Sequence, residues 1–165
     1  MSPIELQMAE ASKRAMDKLR SQGLSVNEKY DYDAPSLPND VTGLADEDVM
    51  DLYAKYVAYL EFINLQVWCA QTDKSEAEKE ANLKRARKKL ELKNSGRAVA
   101  MIDAEIDVDP DYQESATKYQ ELVNYHGLLS IMSEKLSKDI SFINREITRR
   151  VSINKTTGRS PWLTP

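Results

Sequence analysis

The chain has 165 residues, the length of one domain or of one domain with tails. Its formal net charge of -4 at pH 7 argues against a protein that coats nucleic acid by charge alone. The single cysteine, Cys69, excludes an internal disulfide and fits a reducing compartment. The first residues lack the basic and apolar regions of a signal peptide, and no apolar run is long enough to span a bilayer, so we expect a cytoplasmic protein.

Residues 1–23 are predicted to form an N-terminal helical arm. Apolar residues recur there at helical spacing, and Gly23 is a residue type that often follows a helix end. The segment is either a separate arm or a frayed terminal helix. Residues 24–45 follow as a linker, because Asp, Pro and Gly residues interrupt regular structure. The apolar positions of the arm are Ile4, Met8, Ala11, Ala15 and Leu19.

A first long helix is predicted to begin near Asp46, where acidic residues suit the positive end of the helix dipole. Apolar side chains then recur in heptads from Val49 to Ala70. Residues 71–82 contain no large apolar residue, so they are either helix or a break, and their composition favours a continuous helix. The apolar pattern resumes out of phase at Leu83, Ala86 and Leu90.

A second long helix is predicted from Pro110 to Val151. Asp109 suits the N-cap and Pro110 suits the first helical position. An apolar stripe follows for about forty residues, roughly 60 Å of helix, which needs a partner helix to bury it. We therefore predict an all-α fold with a short N-terminal helix. In it, residues 46–151 form a long antiparallel helical hairpin and residues 152–165 form a flexible basic tail.

The hairpin is expected to form a homo-oligomer, because two helices alone have only a thin buried seam. Large side chains such as Phe62, Leu128 and Phe142 would remain on the outer faces and would need another chain. The residues predicted to form this interface belong to the two apolar stripes. They are Tyr56, Leu60, Ile63, Trp68, Leu136, Ile140, Ile143 and Ile147.

Enzymatic motifs are weak, so we expect a protein that is not an enzyme and uses no metal or cofactor. The sequence has no glycine-rich phosphate loop and no Cys/His cluster with metal-binding spacing. The single histidine, His126, lies on or beside the apolar stripe, which favours a structural role. Acidic residues alternate from Asp103 to Asp111, but this row lacks the glycine and the bidentate glutamate of an EF-hand loop.

Two basic clusters are the strongest candidates for a functional site. Cations along a helix, followed by an aromatic residue, suit contacts to a nucleic-acid backbone and base stacking. The competing interpretation is neutralisation, because an antiparallel hairpin would bring the clusters near the acids of residues 103–114 and 46–51. The predicted nucleic-acid-binding residues are Lys84, Arg85, Lys88 and Lys89 in the first cluster, and Arg145, Arg149, Arg150, Lys155, Arg159 and Trp162 in the second.

Two stretches resemble small helical proteins of tailed bacteriophages: residues 37–48 (LPNDVTGLADED) and residues 141–150 (SFINREITRR). The layout of residues 46–150 is also similar to the UvsY-type recombination mediators. It has a long helix, an Asn-Ser-Gly break at 94–96, an acidic connector and a second long helix with a basic end. The resemblance implies an oligomeric helical protein that binds single-stranded DNA and helps to load a recombinase onto strands coated by single-strand-binding protein.

The sequence therefore predicts a phage DNA-recombination or replication accessory that acts as an oligomer in the cytoplasm of the host cell. Its expected partners are single-stranded DNA, a recombinase and a single-strand-binding protein. The alternative is a protein-interaction oligomer without a nucleic-acid role, such as a virion assembly or scaffold component or an inhibitor of a host defence protein.

Overall fold

The computed structural model describes residues 4–156, and side-chain surroundings as far as residue 153. The elements in this range are strand β1 (Ile4–Glu5), helix α1 (Glu10–Ser21), strand β2 (Lys29–Tyr30), and helices α2 (Asp46–Asn94), α3 (Val99–Asp107) and α4 (Pro110–Thr156). The prediction of a mostly helical protein built on two long helices is confirmed. No helix within residues 4–156 is both long and apolar enough to cross a membrane.

Helix α2 runs without a break through residues 71–82, as the composition of that segment indicated. Most residue types in the segment are good helix formers, which explains why the helix persists without a large apolar residue. The segment is not simply solvated, because Asp73, Ala77 and Ala81 are buried. Small and polar side chains therefore line the inner face of this part of α2.

Strands β1 and β2 form a small antiparallel sheet that the sequence analysis did not predict. Ile4 pairs with Tyr30 and Glu5 pairs with Lys29. The prediction of a helical arm over residues 1–23 is therefore wrong in its first part, since Ile4 and Glu5 form a strand and α1 begins at Glu10. Strands of two residues carry too little periodicity to be recognised before their partner strand is known.

The chain divides into two compact units, and both long helices contribute to each of them. Among the described residues, the first unit contains residues 4–6, 27–64 and 131–156. The second unit contains residues 7–26 and 65–130, and so includes α1 and α3.

In the first unit, α2 and α4 pack in opposite directions. Asp46 pairs with Arg150 at 2.6 Å, and Asn64 accepts a hydrogen bond of 2.6 Å from Ser133. The ring of Tyr30 packs on α2, with its centroid 4.8 Å from that of Tyr59. The buried apolar residues of this unit are Leu6, Tyr30, Val41, Val49, Tyr56, Tyr59, Phe62, Ile63, Leu136 and Ile143.

In the second unit, α2 and α4 are again antiparallel. Glu80 lies 3.6 Å from Lys118, and the Lys84 ammonium donates a hydrogen bond of 3.3 Å to the Asp111 carbonyl. Helix α3 packs against the end of α2 through a small apolar cluster. Its members are Leu92, Ile102 and Ile106, with Tyr112 at the edge.

Helix α1 is held against α2 by a buried carboxylate, so it is not the separate arm that the sequence suggested. Asp73 accepts hydrogen bonds from the backbone N–H groups of Ala9 (2.9 Å) and Ser12 (3.0 Å) and from the Ser12 hydroxyl (2.9 Å). A side chain at the N-cap normally satisfies such donors, but here the N-cap residue is Ala9. Asp73 therefore caps α1 from a different helix.

The face that α1 buries is also one position away from the predicted stripe. Ser12 and Met16 are fully buried, whereas Ala11 and Ala15 are partly exposed. The segment before α1 is fixed by Gln66, whose side-chain amide donates to and accepts from the backbone of Gln7, both at 2.7 Å. Polar partners on α2 thus decide which face of α1 is covered.

The predicted oligomer interface lies mostly inside the chain, which corrects that assignment. Buried members are Tyr56, Ile63, Leu136 and Ile143, and half-buried members are Leu60, Ile140 and Ile147. The periodicity identified buried positions, but the two long helices of the same chain bury them against each other. Trp68, which is 43% exposed, is the exception.

Candidate nucleic-acid interface

The first basic cluster is largely neutralised by acids of α3 and the segment that follows it. Arg85 and Lys89 lie 3.4 and 3.6 Å from Asp103, and Lys88 lies 3.0 Å from Asp109. The hydrogen bond from Lys88 lowers the pKa of Asp109 below its ordinary value. The interpretation that each basic cluster has an acidic neighbour is thus confirmed for this cluster.

Lys84, the remaining predicted member of this cluster, is also engaged, since its ammonium lies 3.6 Å from Glu80. Arg97 lies 3.5 Å from Glu105. Within residues 4–153, Arg87 and Lys93 form no ion pair. Four predicted binding residues therefore lie in a surface network of mixed charge. The neighbouring acids lower the positive potential that would attract a phosphate backbone.

Arg150 is a structural residue rather than an open cation, which corrects its predicted role. Its side chain is mostly buried and pairs with Glu146 at 2.7 Å and Asp46 at 2.6 Å. It also donates to backbone carbonyls before α2. These belong to Val41 (3.1 Å), Thr42 (3.1 Å) and Leu44 (3.0 Å). All of its nitrogen atoms are therefore occupied within the first unit.

A tight turn presents these carbonyls to Arg150. The Asp40 carboxylate accepts hydrogen bonds from the N–H groups of Thr42 (2.9 Å) and Gly43 (3.1 Å) and from the Thr42 hydroxyl (2.6 Å). This is the Asx-type contact by which Asp favours turns. A Cβ atom on Gly43 would lie only 2.8 Å from Asp40 Oδ2, so a side chain at that position would force the Asp40 carboxylate to shift.

Arg149 is more exposed than Arg150 but is also paired. It donates two hydrogen bonds of 2.7 Å to the buried carboxylate of Glu146. Hydrogen bonds from Arg149 and Arg150 hold the pKa of Glu146 at about 2. About half of the Arg149 side chain remains exposed, so it can contact a ligand while it stays paired with Glu146.

The outer face of α4 in the first unit carries the arrangement that best fits the predicted chemistry. We call Lys138, Phe142, Arg145 and Arg149 the α4 stripe; they follow one another at intervals of four, three and four residues on one helix face. Phe142 is 48% exposed, and Arg145 forms no ion pair within residues 4–153. Lys138 pairs with Glu134 at 2.7 Å but is largely exposed.

A shallow groove runs along this stripe. It is lined by Glu134, Ser137, Lys138, Ser141, Phe142 and Arg145. From the sequence alone, Phe142 is expected to be an apolar side chain left on an outer face, and Lys138 has no predicted role. Their helical spacing to Arg145 was the signal that could have joined them to the basic cluster.

The other predicted binding residues lie at the end of the described range or beyond it. Residues 152–156 belong to α4, so the prediction of a flexible tail is wrong for these residues, and the rest of the predicted tail lies outside the described residues. Lys155 is in the last turn of α4, but its side chain is not described. Arg159 and Trp162 lie outside the described residues.

The residues considered for catalysis or metal binding include a buried cysteine, a partly buried histidine and a row of acids with several ion pairs. Cys69 is fully buried. Burial and the nearby Lys74 lower the pKa of His126 below its ordinary value. In the acidic row of residues 103–111, Asp103, Glu105 and Asp109 pair with lysine or arginine, and residues 4–156 contain no group of three His, Cys, Asp or Glu residues placed to hold a metal ion.

Comparison of the chain with models of protein families, with curated proteins and with solved structures gives no match.

Proposed function

We propose that this protein is a non-enzymatic accessory of phage DNA recombination or replication, and that it binds single-stranded DNA through the α4 stripe. The proposal depends on one observation: the exposed ring of Phe142 lies between Lys138 and Arg145, and Arg145 has no acidic partner within residues 4–153. The role in recombination comes from the resemblance to UvsY-type mediators.

The chemistry of the stripe suits a flexible strand more than a duplex. An exposed aromatic ring accepts any base by stacking, and cations on both sides attract the phosphates of the same strand. Lys138 and Arg145 are seven residues apart, or about 10 Å along the helix. This length suits a contact with a few nucleotides, so one subunit would bind weakly and without strong sequence preference.

Multivalency would supply the remaining affinity. In an oligomer, several stripes can engage one strand, and each further contact becomes an intramolecular event. A homo-oligomer is therefore part of the proposal, and a recombinase and a single-strand-binding protein are the protein partners that the resemblance implies.

The test is fluorescence anisotropy of the full chain with a labelled single-stranded oligonucleotide at two salt concentrations. Binding should weaken steeply with salt, because phosphate contacts release counterions. Phe142→Ala should weaken binding by about 1–3 kcal/mol, or roughly five- to 150-fold, and Arg145→Ala should reduce the salt dependence. Lys93→Ala, which removes an exposed and unpaired cation on α2, is the matched control.

No binding at low salt, or equal losses in the Arg145 and Lys93 variants, would contradict the proposal. The second candidate is then a protein-interaction oligomer, such as a virion assembly component or an inhibitor of a host defence protein. The exposure of Leu83 (51%) and Leu90 (61%) on α2 favours this candidate. Its complexes should depend on apolar side chains and only weakly on salt.

A further inference from the structure

The second half of α2 carries an apolar stripe that the chain itself does not cover. Ala77, Ala81 and Leu92 are buried, whereas Leu83, Ala86 and Leu90 point outward. The outward residues follow one another at intervals of three and four residues, the spacing of a coiled-coil seam. The apolar pattern changes phase in the sequence because these residues form a second apolar face of α2. Exposed leucines in such a row are typical of an interface.

Two charged residues flank this outward stripe on the same side. Glu80 and Arg87 are seven residues apart, about two helical turns, so their side chains leave α2 in nearly the same direction. Arg87 forms no ion pair within residues 4–153. Glu80 has only loose contacts, at 3.6 Å, with Lys84 and Lys118. An unpaired cation and a loosely held acid thus border an open apolar row.

We propose that this surface binds a second copy of the same chain, with the two α2 helices packed antiparallel about a twofold axis. Such an axis, perpendicular to both helices, places the same flank of each helix on the same side of the interface. Glu80 of each copy would then face Arg87 of the other, and the pair occurs twice. In a parallel pairing, opposite flanks would meet and this match would be lost.

The apolar side chains fit the same register. When Glu80 faces Arg87 of the second copy, Leu83 lies opposite Ala86 of that copy, which alternates large and small side chains across the seam. Leu90 then packs on the methylene groups of Lys79, whose ammonium stays in water. The surface is complementary to itself, as a twofold interface must be.

This interface uses no residue of the α4 stripe, and its test needs no DNA. Sedimentation velocity of the full chain over a range of concentrations should give a monomer–dimer equilibrium or larger species built on the dimer. Leu90→Lys should shift the equilibrium to monomer by at least about tenfold in Kd. Because Leu90 is exposed, the circular dichroism spectrum should not change. Retention of the wild-type association by this variant would overturn the proposal.

A charge exchange tests the antiparallel register. Arg87→Glu places like charges opposite each other at both symmetry-related positions, and Glu80→Arg does the same with positive charges. Each variant alone should associate about tenfold more weakly than wild type. An equimolar mixture should recover association to within about threefold, because both contacts become attractive in the mixed dimer.

Arg145→Glu is the control, because Arg145 is also an exposed cation without an ion pair within residues 4–153 but lies on α4, outside the proposed surface. It should leave association unchanged. A mixture of the two charge variants that remains as weak as either alone would overturn the antiparallel arrangement. Phe142→Ala should dimerise normally, so the failure of the DNA proposal and the failure of this one can be told apart.

Discussion

Each unit uses one charged side chain on a long helix to hold a short or irregular segment, but the chemistry is opposite. In the first unit, Arg150 donates to backbone carbonyls of the linker, and Glu146 and Asp46 balance its charge. In the second unit, Asp73 accepts from N–H groups and a hydroxyl of α1, with no cation in contact within the described residues. Arg150 therefore holds its segment with counter-charges beside it, whereas Asp73 holds its segment through uncharged donors alone.

This difference predicts how much stability is lost when each of the two side chains is truncated. A buried carboxylate that is held by uncharged donors leaves all of them unsatisfied when it is removed. An arginine between two acids leaves a carboxylate that still has Arg149 as a partner. Asp73 should therefore be less tolerant of truncation than Arg150, although Arg150 makes more hydrogen bonds.

The largest effect is expected for Asp73→Ala. This change orphans the N–H groups of Ala9 and Ser12 and the buried Ser12 hydroxyl, and it should lower the free energy of unfolding by about 3 kcal/mol. Urea unfolding followed by circular dichroism measures the loss. Glu76→Ala, which removes an exposed partner of Arg14, is the control and should have little effect. Equal losses in the two variants would contradict the role of Asp73 as a cap.

Arg150→Met should have the next largest effect. The apolar side chain fills some of the space, but the linker carbonyls lose their donors, and the free energy of unfolding should fall by about 2 kcal/mol. Arg145→Met on the exposed face of α4 is the matched control. If DNA binding is retained by Arg150→Met at a temperature where the variant is folded, Arg150 is confirmed as a structural residue.

Acid should weaken the first unit through Glu146. Its pKa lies at about 2 when folded, below the ordinary value of 4.5. The stability that this carboxylate contributes is therefore fully present above pH 4.5 and is lost as the pH falls towards 2. The urea midpoint should drop across this range, and Glu146→Gln should flatten that part of the profile. Parallel profiles for wild type and variant between pH 4.5 and 2 would exclude this mechanism.

The smallest effects are expected at two glycines. Gly127 lies within α4, and a Cβ atom there meets nothing within 4 Å, so Gly127→Ala should stabilise the protein by about 0.5–1 kcal/mol through helix propensity. Gly43→Ala should instead destabilise it, because the new methyl group collides with Asp40 in the turn that serves Arg150. Thermal unfolding midpoints measure both. A rise in the midpoint for Gly43→Ala would contradict the turn geometry.

The sequence was most informative where one helix meets another. The stripes of α2 and α4 gave the long helices, and the continuity through residues 71–82 followed from composition. Periodicity identifies a buried position but does not say which chain covers it, so Tyr56 and Ile143 were assigned to an oligomer interface although their own chain buries them. Leu83 and Leu90 also belong to an apolar pattern in the sequence, but their own chain leaves them exposed.

The docking of α1 could not be derived from local patterns, because its cap lies 61 residues away in the sequence from Ser12. The same holds for Arg150, since a row of basic residues does not reveal which cation binds carbonyls and which remains in water. In the candidate site, only Arg145 and Arg149 were both predicted and found on the exposed stripe. Phe142 and Lys138 share the helical spacing of these arginines, but the sequence alone does not show that this face of α4 is exposed.

The cap that Asp73 provides has a consequence for the order of events during synthesis. A helix of 12 residues without its own cap is barely stable in water, so α1 has little reason to form when it leaves the ribosome. Its carboxylate partner is made about sixty residues later, and it must itself be carried on a formed stretch of α2. Helix α1 thus becomes helical only after a segment about sixty residues further along the chain has been made. Until then its apolar residues remain available to chaperones and to neighbouring chains on the same polysome.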